Sequence, residues 1–407
     1  MPSSKRRFFE LDALRGLAAV TVLFRHFSDV FDHSHQGVLG QLAHGHFETW
    51  YVVPLLRLSP FGFLAQGHAA VVLFFVLSGF VLTGPLLAGR GSVPFHRFVA
   101  KRVIRLYPPY FCALVLSVLA DYLFSHHGVA GIGTVVNNTW TRPINAHDLR
   151  VNLQLFFAGD LQQFNSAFWS LSYEMNMALF FPVVAWISLA GPLSLAVAFN
   201  GLLITVGALF TPGPEPGEFF FNLCVAGMFG VGAVLAKNHE RLTQLYQRLG
   251  VKSRIVLGVA ALEALGYGLM VGLAATGRAW AGELLLVPAA GIVIVAALAD
   301  SHWQKFLNRP SCQFLGKISY SLYLVHMAVL LPLVFLTWET ALGHLPYYWV
   351  LLFVTFVGIS VGLAWLFWGA IETRATNWSR SFGWQKAPAS RAAVAGAAGG
   401  LTETSPG

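Results

Sequence analysis

The sequence predicts an all-α, polytopic membrane protein, with about ten transmembrane helices around a central cavity and both chain ends in the cytoplasm. Three observations carry that prediction. First, the 407 residues are 56% hydrophobic and only 11% charged, with a mean hydropathy of +0.62, which leaves too little polar surface to cover a water-soluble globule. Second, apolar stretches of spanning length recur at about 11–30, 68–88, 106–125, 167–189, 193–211, 218–236, 254–275, 281–299, 317–337 and 347–370. Third, if residue 1 is placed inside, the inner segments collect nearly all the Lys and Arg. They hold Lys5 to Arg7, the group from Arg90 to Arg105, the group from Lys237 to Arg254, then Lys305, Arg309, Lys317 and the tail. Only Arg57, Arg142, Arg150 and Arg278 fall outside. That bias also accounts for the net charge of +8, so no nucleic-acid partner is expected; the partner implied is the lipid bilayer.

The first apolar stretch follows the basic run Lys5-Arg6-Arg7, as a signal peptide would. Asp12, Arg15, Arg25 and His26 interrupt it and no small-residue cleavage site follows, so a retained helix is expected. Arg15 and His26 are the residues around which the reading turns. Eleven residues on a helix return to within ~20° of the same face and rise ~16 Å, so both lie on one stripe at two depths. Such groups must face protein or water, not lipid. Asp12 lies on the same face as Arg15 and offers it an ion pair, while Arg25 stands beside the histidine. The plain alternative is a snorkelling arginine and a packing histidine.

In the second stretch, FFVLSGFVLTG places Ser78 and Gly79 mid-helix, where small residues permit close helix approach or a substrate chain beside the backbone. Next, FHRFVAKRVIRLYPPY carries Arg102 and Arg105 three residues apart on an expected short helix, with Tyr107-Pro108-Pro109 marking entry into the third span. A guanidinium pair on one face can clamp phosphate oxygens through bidentate, charge-assisted bonds. In FWSLSYEMNMALFFP, Glu174 is expected about a turn and a half below the outer surface, level with His26. There it would pair with a cation, meet water, or hydrogen-bond the imidazole and fix its tautomer. In the ninth stretch, GKISYSLYLVHM sets Ser319, Ser321, Tyr323 and His326 on the inner half, a polar stripe suited to a wet channel or to interhelical hydrogen bonds.

Two outer loops, about 31–67 and 126–166, are long enough to grip an acceptor. Their histidines, with two H-x-H pairs, come with few carboxylates, and no metal site is expected. Cys112, Cys224 and Cys312 lie on separate apolar stretches and are read as packing residues without a disulfide. From about 387 the composition turns to Ala, Gly, Ser and Thr, the mark of a disordered tail. The domain boundaries expected are 1–371 for the membrane domain and 372–407 for a largely disordered cytoplasmic tail.

The series LDALRGLAAVTVLFRHF, FFVLSGFVLT, KRVIRLYPPY, WSLSYEMNMALFFP and ISYSLYLVHM, over residues 8 to 371, resembles the acyltransferase 3 family of integral membrane O-acyltransferases. The resemblance implies transfer of an acyl group, often acetyl in this family, from cytoplasmic acyl-CoA to a hydroxyl of a sugar, surface polysaccharide or natural product, in a bacterial cytoplasmic membrane. It implies that His26 is the catalytic histidine, Arg15 its basic partner, and Arg102 with Arg105 the CoA-contacting pair. Glu174 falls on the family's acidic position of the fourth helix. The sequence departs from the family where Met175 replaces a second carboxylate, and no esterase-like domain follows in the sequence given. The expected mechanism threads acyl-CoA past Arg15 to His26 as general base, with Glu174 orienting the imidazole, and with Arg25 at the oxyanion. Ser78, Tyr323 and His326 would line the cavity. The rival from another class is a proton-coupled transporter in which Arg15, His26, Glu174 and His326 form a relay. It has no need of the Arg102/Arg105 pair.

Overall fold

The computed structural model describes residues 8–31, 59–87, 94–125, 128–129, 131–157, 161–211, 218–340, 342–343, 345 and 347–381. The sequence expectations for Lys5 to Arg7, for most of the first outer loop and for the tail beyond 381 lie outside them.

Ten long helices appear where the apolar stretches predict them: α1 Phe9–Asp29, α2 Gly67–Leu87, α3 Phe95–Phe124, α4 Trp169–Ala190, α5 Leu193–Phe210, α6 Glu218–Arg248, α7 Val251–Thr276, α8 Glu283–Ala299, α9 Pro310–Thr337 and α10 Tyr348–Phe367. Eight are long and apolar enough to cross a membrane, and nine if α8 counts together with the short helix Ser301–Leu307, against which it is bent by 89°. The remaining helix, α1, carries Glu10, Asp12, Arg15, Arg25 and Asp29 within its 21 residues, and this charge keeps it out of that count. The protein is therefore an all-α, multi-spanning membrane protein, with eight or nine helices of spanning character among the described residues. The expected ten is reached only as a count of helices.

Burial sorts the helices. α6 and α9 are the most enclosed, while α5, α7 and α10 turn most of their apolar surface outward, as lipid-facing helices do. α6 packs on α2, α4, α5 and α8, and α1 packs on α2 and α9. Two contacts fix the direction of α1 against α9. Gly16 meets the Gly316 backbone, and ten residues further along each helix the His26 ring meets the His326 ring, so the two helices run parallel. At Gly79 a Cβ would fall 2.0 Å from the Phe229 carbonyl oxygen, so the Ser78-Gly79 pair permits close approach of α2 to α6, as expected of small residues.

Three local features differ from the sequence expectation. α3 is continuous through Pro108 and Pro109, so Arg102 and Arg105 stand on the spanning helix itself and not on a separate short one. Prolines are tolerated inside a membrane helix where neighbours satisfy the loosened backbone. Beside the prolines the Tyr320 hydroxyl of α9 donates to the Leu106 carbonyl at 2.9 Å, which ties α3 to its neighbour there. Second, the segment entering α4 does not end at the surface. Asn165 donates to the Leu324 carbonyl at 3.0 Å and to Ser117 Oγ at 3.4 Å, and the Trp140 indole donates to the Phe164 carbonyl at 3.0 Å. The chain thus folds back into the helical body before α4 begins, and Glu174 lies deeper than sequence counting puts it. Third, α10 does not stop near 371. A π-helical turn, Trp368–Glu372, leads into a further helix, Thr373–Ser381, whose Ser379 hydroxyl donates to the Lys101 carbonyl of α3 at 2.9 Å. The expected boundary at 371 falls inside this continuous structure.

Candidate functional site

Five helices and the π turn converge on a cleft of about 30 Å³, lined by Arg15 of α1, Leu77, Ser78, Val81 and Leu82 of α2, Arg102, Arg105 and Leu106 of α3, Glu174 of α4, Tyr320 of α9 and Glu372. It gathers three guanidinium groups and two carboxylates in a space that admits little more than a water molecule. Arg102 Nη2 reaches Glu174 Oε1 at 3.1 Å, and the Ser78 hydroxyl donates to the same oxygen at 3.5 Å. The Arg102 side chain is 7% exposed and that of Glu174 19%, so the pair is largely desolvated. Glu372 Oε2 accepts from the Ser321 hydroxyl at 2.6 Å, which fixes this second carboxylate on the wall.

A second polar cluster surrounds the other end of α1. Arg25 Nη2 pairs with Asp29 Oδ1 at 2.9 Å, and His26 Nδ1 lies 3.6 Å from Asp29 Oδ2, one turn along the same helix. The His26 ring sits 5.2 Å from the buried His326 ring, centroid to centroid. One turn back along α9, Tyr323 donates to the Ala167 carbonyl at 2.8 Å and its oxygen lies 2.7 Å from Ser170 Oγ. Ser170 and Glu174 are a turn apart on α4, so they share a face and carry the polar lining from the second cluster toward the first.

The sequence expectations divide accordingly. Arg15, Arg102, Arg105, Ser78 and Glu174 come together in the cleft, while His26, Arg25, His326 and, through His326, Tyr323 come together in the second cluster. Glu174 does not stand level with His26. The inward fold of the segment before α4 carries it to the level of Arg15 and Arg102, and the carboxylate next to His26 is Asp29. The α9 stripe also differs from the one expected. Tyr320, Tyr323 and His326, at steps of three, face the two clusters, while Ser321 turns to Glu372 and Ser319 bonds to its own Gly316 carbonyl. Sequence reasoning missed Asp29, Tyr320 and Glu372. Asp29 was open to discovery, because its spacing of three from His26 and four from Arg25 is a helical pairing signal. Glu372 gave only a lone carboxylate at the end of the last apolar stretch.

A third buried pair lies apart from both clusters. His68 Nε2 contacts Glu283 Oε1, with the imidazole stacked on the Trp169 ring at 5.9 Å and Glu283 fully buried. It joins the first turns of α2 and α8 beside the start of α4.

Comparison with known proteins bears on what these clusters serve. The model of a family described as an acyltransferase domain matches residues 8–369. Among curated proteins, the peptidoglycan O-acetyltransferase OatA of Listeria monocytogenes serovar 1/2a is 23% identical over 288 residues, which is 66% of this chain and 46% of that protein. The chain thus aligns with less than half the length of that relative. No solved structure matches. With the family model spanning nearly every described helix and both polar clusters except Glu372, the chain belongs to the acyltransferase 3 family of membrane proteins.

Proposed function

We propose that the protein transfers an acyl group, acetyl in the simplest case, from cytoplasmic acyl-CoA to a hydroxyl of a sugar, surface polysaccharide or natural product. The observation that carries this reading is the gathering of Arg15, Arg102 and Arg105 in one cleft, with Arg15 on the helix that also bears His26 about 16 Å further along. Three guanidinium groups suit the phosphates of a CoA, and the rise along α1 suits the length of its pantetheine arm. The O-acetylation of peptidoglycan for which that relative is named favours acetyl as the group and a glycan as the acceptor.

In this reading the protein lies in a bacterial cytoplasmic membrane with the Arg15 end of α1 inside. The donor's phosphates take Arg102 and Arg105, and the pantetheine passes Arg15. A cleft of about 30 Å³ is too small for that arm, so donor entry has to part Arg102 from Glu174. A phosphate then replaces the carboxylate as the arginine's partner, which gives Glu174 a role on the donor side in place of orienting His26. At the other cluster His26 takes the proton of the acceptor hydroxyl as its oxygen attacks the thioester carbon. The carbon–sulfur bond breaks, and the proton passes to the departing thiolate. Arg25 stands beside His26 to receive charge developing on the carbonyl oxygen.

The test uses membranes from cells making the protein, supplied with radiolabelled acetyl-CoA, and measures alkali-labile label in the glycan and metabolite fractions. His26→Ala is expected to abolish the label while the protein still accumulates. Arg102→Ala is expected to raise the donor KM and to remove thermal stabilisation by CoA. Full transfer by both variants would reject the assignments.

A further inference from the structure

We propose that His326 is a positioning residue that holds the proton His26 takes from the acceptor, so that the working base is a pair of imidazoles backed by Asp29. The inference rests on the acyl-transfer reading and adds to it a residue that acts through His26.

The argument begins with the tautomer of His326. Its Nδ1 lies 3.1 Å from the Leu322 carbonyl oxygen. A carbonyl only accepts, so Nδ1 carries the hydrogen, and in the neutral ring Nε2 is then a bare lone pair. That Nε2 is buried and has no hydrogen-bond partner among the described residues. The ring itself is 1% exposed. A buried acceptor left unfilled costs free energy and calls for an explanation, of which a role during the reaction is one. The neighbour that can supply it is His26, whose ring centroid is 5.2 Å away at a tilt of 35°, a spacing at which imidazole nitrogens turned toward each other come within hydrogen-bond reach.

The opposite side of His26 is set for the same event. Its Nδ1 faces Asp29 Oδ2 at 3.6 Å, too long for a hydrogen bond but within ion-pair range, while Arg25 holds the other Asp29 oxygen at 2.9 Å. A neutral His26 with its hydrogen on Nδ1, toward the carboxylate, keeps Nε2 as base. When Nε2 takes the acceptor proton, the imidazolium has a carboxylate on one side and the His326 lone pair on the other. The oxygen–carbon bond forms, the carbon–sulfur bond breaks, and the shared proton goes to the thiolate, which returns both rings to neutrality. Tyr323 anchors this arrangement a turn away. Its hydroxyl donates to the Ala167 carbonyl and thereby accepts from Ser170, which ties α9 to α4.

The experiment compares His326→Phe with His326→Gln in the labelled acetyl-CoA membrane assay. Phenylalanine fills the space with a ring and offers no acceptor, whereas the glutamine amide oxygen restores one. The expected result is a kcat loss on the order of tenfold or more for His326→Phe with the donor KM unchanged, and recovery of most of that loss in His326→Gln. If His326→Phe does not accumulate, His326→Leu carries the same comparison. A ranking with the apolar variants at or above His326→Gln would mean that His326 only packs, and would overturn the proposal. Wild-type activity in all of them would do the same. The parent reading fails separately, if His26→Ala keeps full transfer or if the wild-type membranes transfer no label.

Discussion

Replacing Gly16 with alanine tests the link between helix packing and the imidazole pair. A Cβ at position 16 would fall 2.5 Å from the Gly316 backbone nitrogen and 2.6 Å from the Leu315 carbonyl carbon, both on α9. Carbon contacts in a packed interior settle near 3.5 Å, so α1 and α9 must part by roughly 1 Å, with no flexible side chain there to absorb the shift. Overpacking of this kind costs about 1–3 kcal/mol, while removing a mid-helix glycine returns about 0.5–1 kcal/mol. The net expectation is a loss of up to about 2.5 kcal/mol, set against the gain expected of a glycine replaced in open space. Gly258→Ala and Gly358→Ala are the controls, since a Cβ at either position meets nothing within 4 Å, and they should be neutral or slightly stabilising. The assay is the thermal unfolding midpoint of the purified protein in detergent, read beside transfer from labelled acetyl-CoA. Because the same parting separates His26 from His326, the variant should lose more turnover than its stability alone explains. A Gly16→Ala protein as stable as the controls, with full turnover, would refute the reasoning.

Two further outcomes follow from the cleft. Arg102→Ala and Glu174→Ala each strand a largely buried charge, with single-variant costs of up to ~3–5 kcal/mol, so the double variant should unfold well above the temperature that the sum of the two losses gives. Additive midpoints would mean that the pair does not couple. Ser321→Ala removes the hydroxyl that donates to Glu372 and should cost about 1.5–3 kcal/mol by thermal unfolding, whereas Ser319→Ala, which breaks only a bond to its own helix, should cost less.

The fold class, the positions of the helices and the grouping of Arg15, Arg102 and Arg105 were legible because each leaves a one-dimensional trace: an apolar run, or a charge inside one. The level of Glu174 left no such trace. Hydropathy records where a chain becomes apolar, and the segment holding Asn165 is polar enough to read as a surface loop although its side chains bond inside the protein. The paired prolines of α3 misled for a related reason. In water they would end a helix, but here Pro108 and Pro109 sit in a helix supported by its neighbours. Ser321 was grouped with Tyr323 because both are polar, and the geometry of α9 separates them onto different faces.

The π turn at Trp368–Glu372 takes in one residue more than an α-helical turn would. That surplus rotates everything after it by about 100°. α10 spends most of its surface on lipid, yet the acid directly following it lines the cleft, and the next helix docks on α3. Shortening the turn by one residue would swing the carboxylate away from the cleft and from Ser321, and undo that docking in the same movement. What keeps this acid on the protein side of the wall is a matter of register, set by a single inserted position.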